Sequence, residues 1–178
     1  MHRSMTATNK SLFERLAENM SDLVALHAPD GRYSWVSPSA ERILGYSPEE
    51  LIGTDPYELF HPDDAESIRN QTHQPAVSGD GNILIRYRIR RADGEYIWFE
   101  TLTQPIANDK GDVVELHTTS RDVTEQQRIE DALAESEALY RVAMESLEEG
   151  IVVHDSEGRI IAHNPQAADI LGLNEDEL

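Results

Sequence analysis

The residues that could do chemistry in this chain are its histidines and its carboxylates, because it has no cysteine at all. Disulfides, thiolate metal sites, iron–sulfur clusters and thiol nucleophiles are therefore excluded. His27, His61, His73 and His154 are the histidines whose setting can be read, and no pair of them has the spacing of a metal site. His27 and His154 both stand at a strand end before a turn and read as surface residues. His61 opens the run His61-Pro62-Asp63-Asp64, which has the form of a helix start, with proline in the first turn and acids favoured by the helix dipole. Thirty-four Asp and Glu residues supply many carboxylates, but no two are paired by spacing into a general acid and base. Gly79 and Gly81 stand alone and make no phosphate-binding loop. Enzyme activity within these residues is not expected.

The net charge of -19 argues against nucleic acid and anionic membrane surfaces, since both are polyanions that need a basic footprint. Only Lys10 and Lys110 are lysines. Such an acid excess is tolerated best where salt screens its self-repulsion, so a salt-loving source and a merely acidic surface both fit. No apolar run approaches the ~20 residues that cross a bilayer, and residues 1–10 lack the apolar core of a signal peptide. The expectation is a soluble, cytoplasmic chain with no membrane insertion.

The elements that must position any site follow from period and punctuation. Leu12, Phe13, Leu16 and Met20 mark an amphipathic helix after the capping box Ser11/Glu14. Leu23 to His27 and Arg32 to Val36 read as strands around the Asp30-Gly31 turn. Ala40, Ile43 and Leu44 fit a short helix closed by Gly45, and Ser47-Pro48, Asp55-Pro56 and His61-Pro62 each open another. From Asn82 to Arg91 the chain alternates, with Ile83, Ile85, Tyr87 and Ile89 on one face and Leu84, Arg86, Arg88 and Arg90 on the other. Turns at Asp93-Gly94 and Asp109-Lys110-Gly111 return it through Glu95–Ile106 and Asp112–Val123. In the first of these returning strands Ile97 and Phe99 face one way, and Tyr96, Trp98 and Leu102 the other. A sheet covered on one side needs one apolar face. The second face is thus expected to be covered by the helix of Leu12, Phe13 and Leu16, by a second subunit, or by both, which is the argument for a homodimer.

The chain contains its own partial repeat. Shifted by 127 residues, Leu23–Leu51 falls on Gly150–Leu178 without a gap, with ten of twenty-nine positions identical, including His27/His154, Gly31/Gly158, Pro38/Pro165 and Ile43-Leu44-Gly45/Ile170-Leu171-Gly172. Between the copies a helix runs from Thr124 to about Leu147, with Thr124 placed to cap it and Gln127 to return the bond. Along it Ile129, Leu133, Ser136, Tyr140, Ala143 and Leu147 alternate spacings of four and three, the stripe of a helix packed on another helix; a helix lying on its own domain is the alternative. It has no histidine to accept a phosphoryl group. The resulting division is a tail and flanking helix at 1–22, a domain at 23–124, a connector at 125–149 and the start of a second domain at 150–178.

Taken together, Asp30-Gly31-Arg32, Pro38-Ser39-Ala40, Ile43 to Gly53, His61-Pro62-Asp63-Asp64, Arg91-Ala92-Asp93-Gly94 with Trp98, Pro105-Ile106, Gly111 and Arg121-Asp122-Val123-Thr124-Glu125 resemble a PAS domain with its PAC motif. The resemblance covers Leu12 to Glu125 and begins again at Leu139. It departs at Ser37, where the family often has the asparagine present at Asn164 of the second copy.

The resemblance implies an α+β fold: a five-stranded antiparallel sheet with short helices on one face, an N-terminal flanking helix and a C-terminal connector helix. It implies a sensory or dimerisation module set ahead of further signalling domains, a histidine kinase among them, with Asp122 and Thr124 passing strain into the connector. A small apolar or carboxylated molecule held by Ile43, Leu44, Ile83, Ile85 and Tyr87 is one expectation; a solid core serving a ligand-free interaction module is the other. Flavin-adduct and coumaroyl photochemistry need a cysteine and are excluded. Haem, with His73 or His61 as axial ligand, is a distant third, so no cofactor is required.

Overall fold

The structure is a computed structural model and describes residues 20–69 and 82–172. The flanking-helix positions Leu12, Phe13 and Leu16, and His73, lie outside the described residues. The chain divides into two units, Met1–Glu125 and Gln126–Leu178.

In the first unit the strands are β1 (Leu23–His27), β2 (Tyr33–Val36), β3 (Ile83–Arg90), β4 (Tyr96–Ala107) and β5 (Val113–Asp122). They form one antiparallel sheet in the order β2-β1-β5-β4-β3, so the last strand closes between the first and fourth. Between β2 and β3 come α1 (Ser39–Leu44), α2 (Pro48–Leu51), a 3-10 turn (Pro56–Glu58) and α3 (Pro62–Ile68). Their starts use the residues that the sequence marks: Ser47 and Glu50 form a complete capping box, Asp55 caps the 3-10 turn, and His61 Nδ1 accepts the Asp63 N–H at 3.3 Å. His61 is thus a helix cap. Gly45 ends α1 at φ 80°, and a Cβ there would lie 3.1 Å from the Ala92 side chain, so both conformation and space demand glycine.

The short helices pack on one face of the sheet, where Leu23, Val36, Ala40, Leu44, Ile89 and Phe99 are almost fully buried. On the other face Trp98 and Leu102 are half-buried, and Leu84 and Tyr96 are exposed. The alternation along β3 and β4 is the one the sequence predicts.

The second unit contains most of α4 (Thr124–Ser146), the hairpin β6 (Val152–His154) and β7 (Ile160–His163), and α5 (Pro165–Leu171). No residue of α4 is buried, and its predicted stripe is open: Ile129, Leu133 and Tyr140 are each about 60% exposed. The hairpin is held to α5 by Asn164. Its Oδ1 accepts the N–H groups of Ile151 and Ala167 at 2.8 and 3.0 Å, and its Nδ2 donates to the carbonyls of Glu149 and Met144 at 2.8 and 3.3 Å.

Candidate functional site

The candidate site is a cavity between the sheet and the short helices. Period two along β4 puts Thr101 and Thr103 on the same face as Ile97 and Phe99, and along β5 it puts Thr118 and Ser120 with Leu116. The register sets Thr101 beside Ser120 and Thr103 beside Thr118, making a four-hydroxyl floor. Ile85 and Tyr87 of β3, Leu23 and His27 of β1 and Tyr33 of β2 form the sides; Pro56, Tyr57, Phe60 and Ile68 close it from the helical layer. The space left is about 60 Å³. Sites for drug-sized molecules run to roughly 300–1,000 Å³, so a porphyrin or a flavin ring does not fit this one.

The polar groups are largely paired with each other. Thr101 Oγ1 lies 3.0 Å from Tyr87 Oη and 2.8 Å from Ser120 Oγ, a chain in which each hydroxyl can both give and take a proton. His27 Nδ1 is 2.9 Å from the Gly31 carbonyl, which can only accept, so this nitrogen carries the proton. In the neutral ring Nε2 is then the acceptor facing Thr118 Oγ1, 2.9 Å away, whose one proton it shares with the Ala25 carbonyl at 3.3 Å. The surface position expected for His27 is overturned: it is 7% exposed and its ring packs on Tyr33 at 4.7 Å. Its counterpart His154 is exposed. Burial pushes the phenols of Tyr33 and Tyr87 up, and that of Tyr57 up to about 12, so all three remain O–H donors.

Of the residues named from sequence for a cavity, Ile85 and Tyr87 line it. Ile43 and Leu44 are buried in the core beneath α1 and are not among its lining residues; Ile83 lies on the same face of β3, half-buried. The hydroxyl floor, His27 and Tyr33 were not singled out in the sequence. The signal existed: extending the Ile97/Phe99 face by two steps along β4 reaches Thr101 and Thr103.

At the junction with the connector the predicted capping box is not formed. Thr124 Oγ1 instead accepts the Trp98 N–H at 2.9 Å, and the Trp98 carbonyl accepts the Val123 N–H at 2.9 Å. Asp122 Oδ1 takes the Thr124 N–H at 2.9 Å, and Gln127 Nε2 turns up the helix to Asp131 at 2.9 Å. Thr124 is therefore tied back to β4 by its side chain, leaving Asp122 to accept at the helix start. On the outer face the Arg88 guanidinium lies 5.6 Å from the Trp98 ring centre and is held by Asp64 of α3, with Nε to Oδ2 at 2.9 Å and Nη2 to Oδ1 at 2.6 Å. Arg88 beside it holds the Asp64 carboxyl below the usual carboxylate range.

Among the described residues no group of histidines and carboxylates could hold a metal ion, and no helix is long and apolar enough to cross a membrane.

Comparison with known proteins agrees with this geometry. A family model described as "PAS fold" matches residues 33–120, and one described as "PAS domain" matches residues 138–178. The Aryl hydrocarbon receptor nuclear translocator homolog of Drosophila melanogaster is 32% identical over 99 residues, which are 56% of this chain and 15% of that protein. The chain thus spans a small part of the length of the curated relatives it matches. The sensory box histidine kinase/response regulator structure from Burkholderia thailandensis superposes with TM-score 0.59 at 25% identity, over 72% of this chain and 97% of that one. A PAS domain from Colwellia psychrerythraea, at 23% identity and TM-score 0.59, covers 65% of this chain and 98% of its own. The chain belongs to the PAS family, with one PAS fold in its first unit and a second PAS match over residues 138–178 that starts within α4.

Proposed function

We propose that this chain is a non-enzymatic sensory input and dimerisation module of a multidomain cytoplasmic signalling protein. A small molecule in the cavity alters the β4–β5 pair, and the change passes through Asp122 and Thr124 into α4. The observation that carries this reading is the continuity between cavity and connector: β4 supplies Thr101 and Thr103 to the cavity floor and, a few residues earlier, Trp98 to the bonds that hold Thr124. A histidine kinase is the proposed output, on the likeness to the sensory box histidine kinase/response regulator chain. Native mass spectrometry of the purified chain tests the sensory part. Mass released on denaturation is the expected result; a clean apoprotein across growth conditions counts against it. Inserting a few residues near Ala138 tests transmission in the full protein, because rotation of one helical face against the other must change the output.

A second reading is a ligand-free relay in which two copies associate. The exposed stripe Ile129, Leu133 and Tyr140 on α4 and the half-buried Trp98 and Leu102 on the sheet favour it. Truncation of Trp98 to Ala weakens dimerisation in this reading, as measured by sedimentation; unchanged affinity removes Trp98 from the interface.

A further inference from the structure

Two hydroxyls in the cavity make no hydrogen bond among the described residues. Tyr33 is 6% exposed and Thr103 3% exposed, both line the cavity, and among the described residues neither side-chain oxygen has a hydrogen-bond partner. The two residues are buried but their oxygens are not sealed, so each is left to be paired by what occupies the space. Neither is sealed in solid packing; both border the open space. No Asp, Glu, Lys or Arg is found among the described residues that line the cavity. Charges lie outside it: Asp55, whose field reaches the Tyr33 phenol, and Arg69, which lies over the Tyr57 ring at 4.6 Å and 4.0 Å from the Asp55 carboxylate. The His27 ring also lines it, but its Nδ1 proton is given to the Gly31 carbonyl, so an ion entering the cavity would lose its water and meet no fixed charge among the described lining residues. A neutral molecule with an acceptor atom would lose little and pair the Tyr33 O–H.

Resting on the reading of this cavity as a ligand site, we infer that its occupant is a small uncharged molecule of a few non-hydrogen atoms, with a carbonyl or comparable acceptor for the hydroxyls of Tyr33 and Thr103 that line the space. A carboxylate is the wrong chemistry for it, which removes half of the ligand class expected from the sequence.

The test uses three probes of the same shape and different charge, acetamide, acetate and acetamidinium, titrated into the full chain and followed by amide and methyl NMR shifts, with xenon as an apolar control. Acetamide is expected to shift signals around Thr103 and Thr118 saturably, with acetate and acetamidinium at least about tenfold weaker. Tyr33→Phe and Thr103→Val are each expected to weaken acetamide about fivefold without lowering the unfolding midpoint, since they remove hydroxyls that make no hydrogen bond among the described residues. A purely structural role would instead lower the midpoint. Equal binding of either ion, or unchanged acetamide affinity in both variants, overturns the inference. Xenon binding with no acetamide binding overturns it while leaving the cavity as a ligand site; binding of neither removes the ligand reading as well.

Discussion

The two copies of the repeat reach the same local structure by different side chains. In the second unit one asparagine, Asn164, accepts the Ile151 N–H and donates to the Glu149 carbonyl. In the first unit the residues at the matching positions are Val24 and Asp22, and two serines divide the task. Ser37 Oγ accepts the Val24 N–H at 2.9 Å and meets Ser39 Oγ at 2.6 Å, and Ser39 Oγ donates to the Asp22 carbonyl at 3.0 Å. The departure from the family's asparagine at Ser37 therefore leaves neither the Val24 N–H nor the Asp22 carbonyl unpaired. A motif residue is replaceable when the groups that it satisfies can be satisfied otherwise. The copies differ more in what surrounds them. Ile43 and Leu44 are 8% and 0% exposed, whereas their repeats Ile170 and Leu171 are 70% and 55% exposed. Identical residues on equivalent short helices have opposite environments, because Leu44 lies against the sheet and its carbonyl accepts the Ala92 N–H at 2.8 Å.

That contrast can be broken most directly at the leucines. Leu44→Ala is expected to destabilise the first unit by about 2–5 kcal/mol, as a buried large-to-small change does, whereas Leu171→Ala changes stability by no more than about 0.5 kcal/mol. Urea unfolding followed by residue-resolved NMR measures both; equal costs would mean that Leu171 is as well packed as Leu44. Next in size is Asn164→Ala, which removes the side-chain partners of the Ile151 and Ala167 N–H groups and of the Glu149 and Met144 carbonyls, leaving Ala167 only its backbone bond to the residue 164 carbonyl, and should cost the second unit about 2–3 kcal/mol. Faster hydrogen exchange at Ile151 and Ala167 reports it.

The serine pair sharpens the comparison. Ser37→Ala should cost about 1–2 kcal/mol, and adding Ser39→Ala should cost less than a second equal step, because the two hydroxyls act as one chain. A double-mutant cycle in denaturant gives the coupling, and full additivity would refute the shared role. The smallest effect concerns acid. Asp64 and Asp155 both have carboxyls held below the ordinary value by an arginine, Arg88 and Arg159 respectively, and both carboxylates are mostly covered, but the Arg88 side chain is 30% exposed and the Arg159 side chain 72%. A lowered folded value means that Asp64 stabilises the fold above the unfolded carboxyl value of about 3.9, and that this contribution is lost as pH falls through the folded value. Asp64→Asn should therefore cost about 1 kcal/mol at neutral pH and flatten the acid limb below about pH 4. Asp155→Asn should change that limb less, because water screens the exposed Arg159 partner.

Much of the first unit was legible because its cues are local. Asp30-Gly31, Asp93-Gly94 and Asp109-Lys110-Gly111 turn the chain where expected, with each glycine at a positive φ near 90°. Strand bounds from the alternation of β3 and β4 agree with the structure to within about a residue or two. The site was harder to read. Apolar residues draw attention to a core, so Ile43 and Leu44 stood out, while threonines on an apolar face look like ordinary strand residues. His27 was misread because a histidine beside a turn is usually solvated; here Thr118, 91 residues away, covers it. The capping box at Thr124 and Gln127 failed for a similar reason, since a strand 26 residues earlier presents the Trp98 N–H to the threonine.

The sequence by itself determined the order of the elements, their turns and caps, the repeat and the absence of thiol chemistry, all of which depend on residues within a few positions of one another or on composition. Tertiary structure decided which hydroxyls face each other across β4 and β5, that His27 is buried, and that Ile43 and Ile170 share a motif but not an environment. Those outcomes depend on strand register and on contacts made by segments distant in the chain, and no local pattern encodes what a side chain will find on the other side of the sheet.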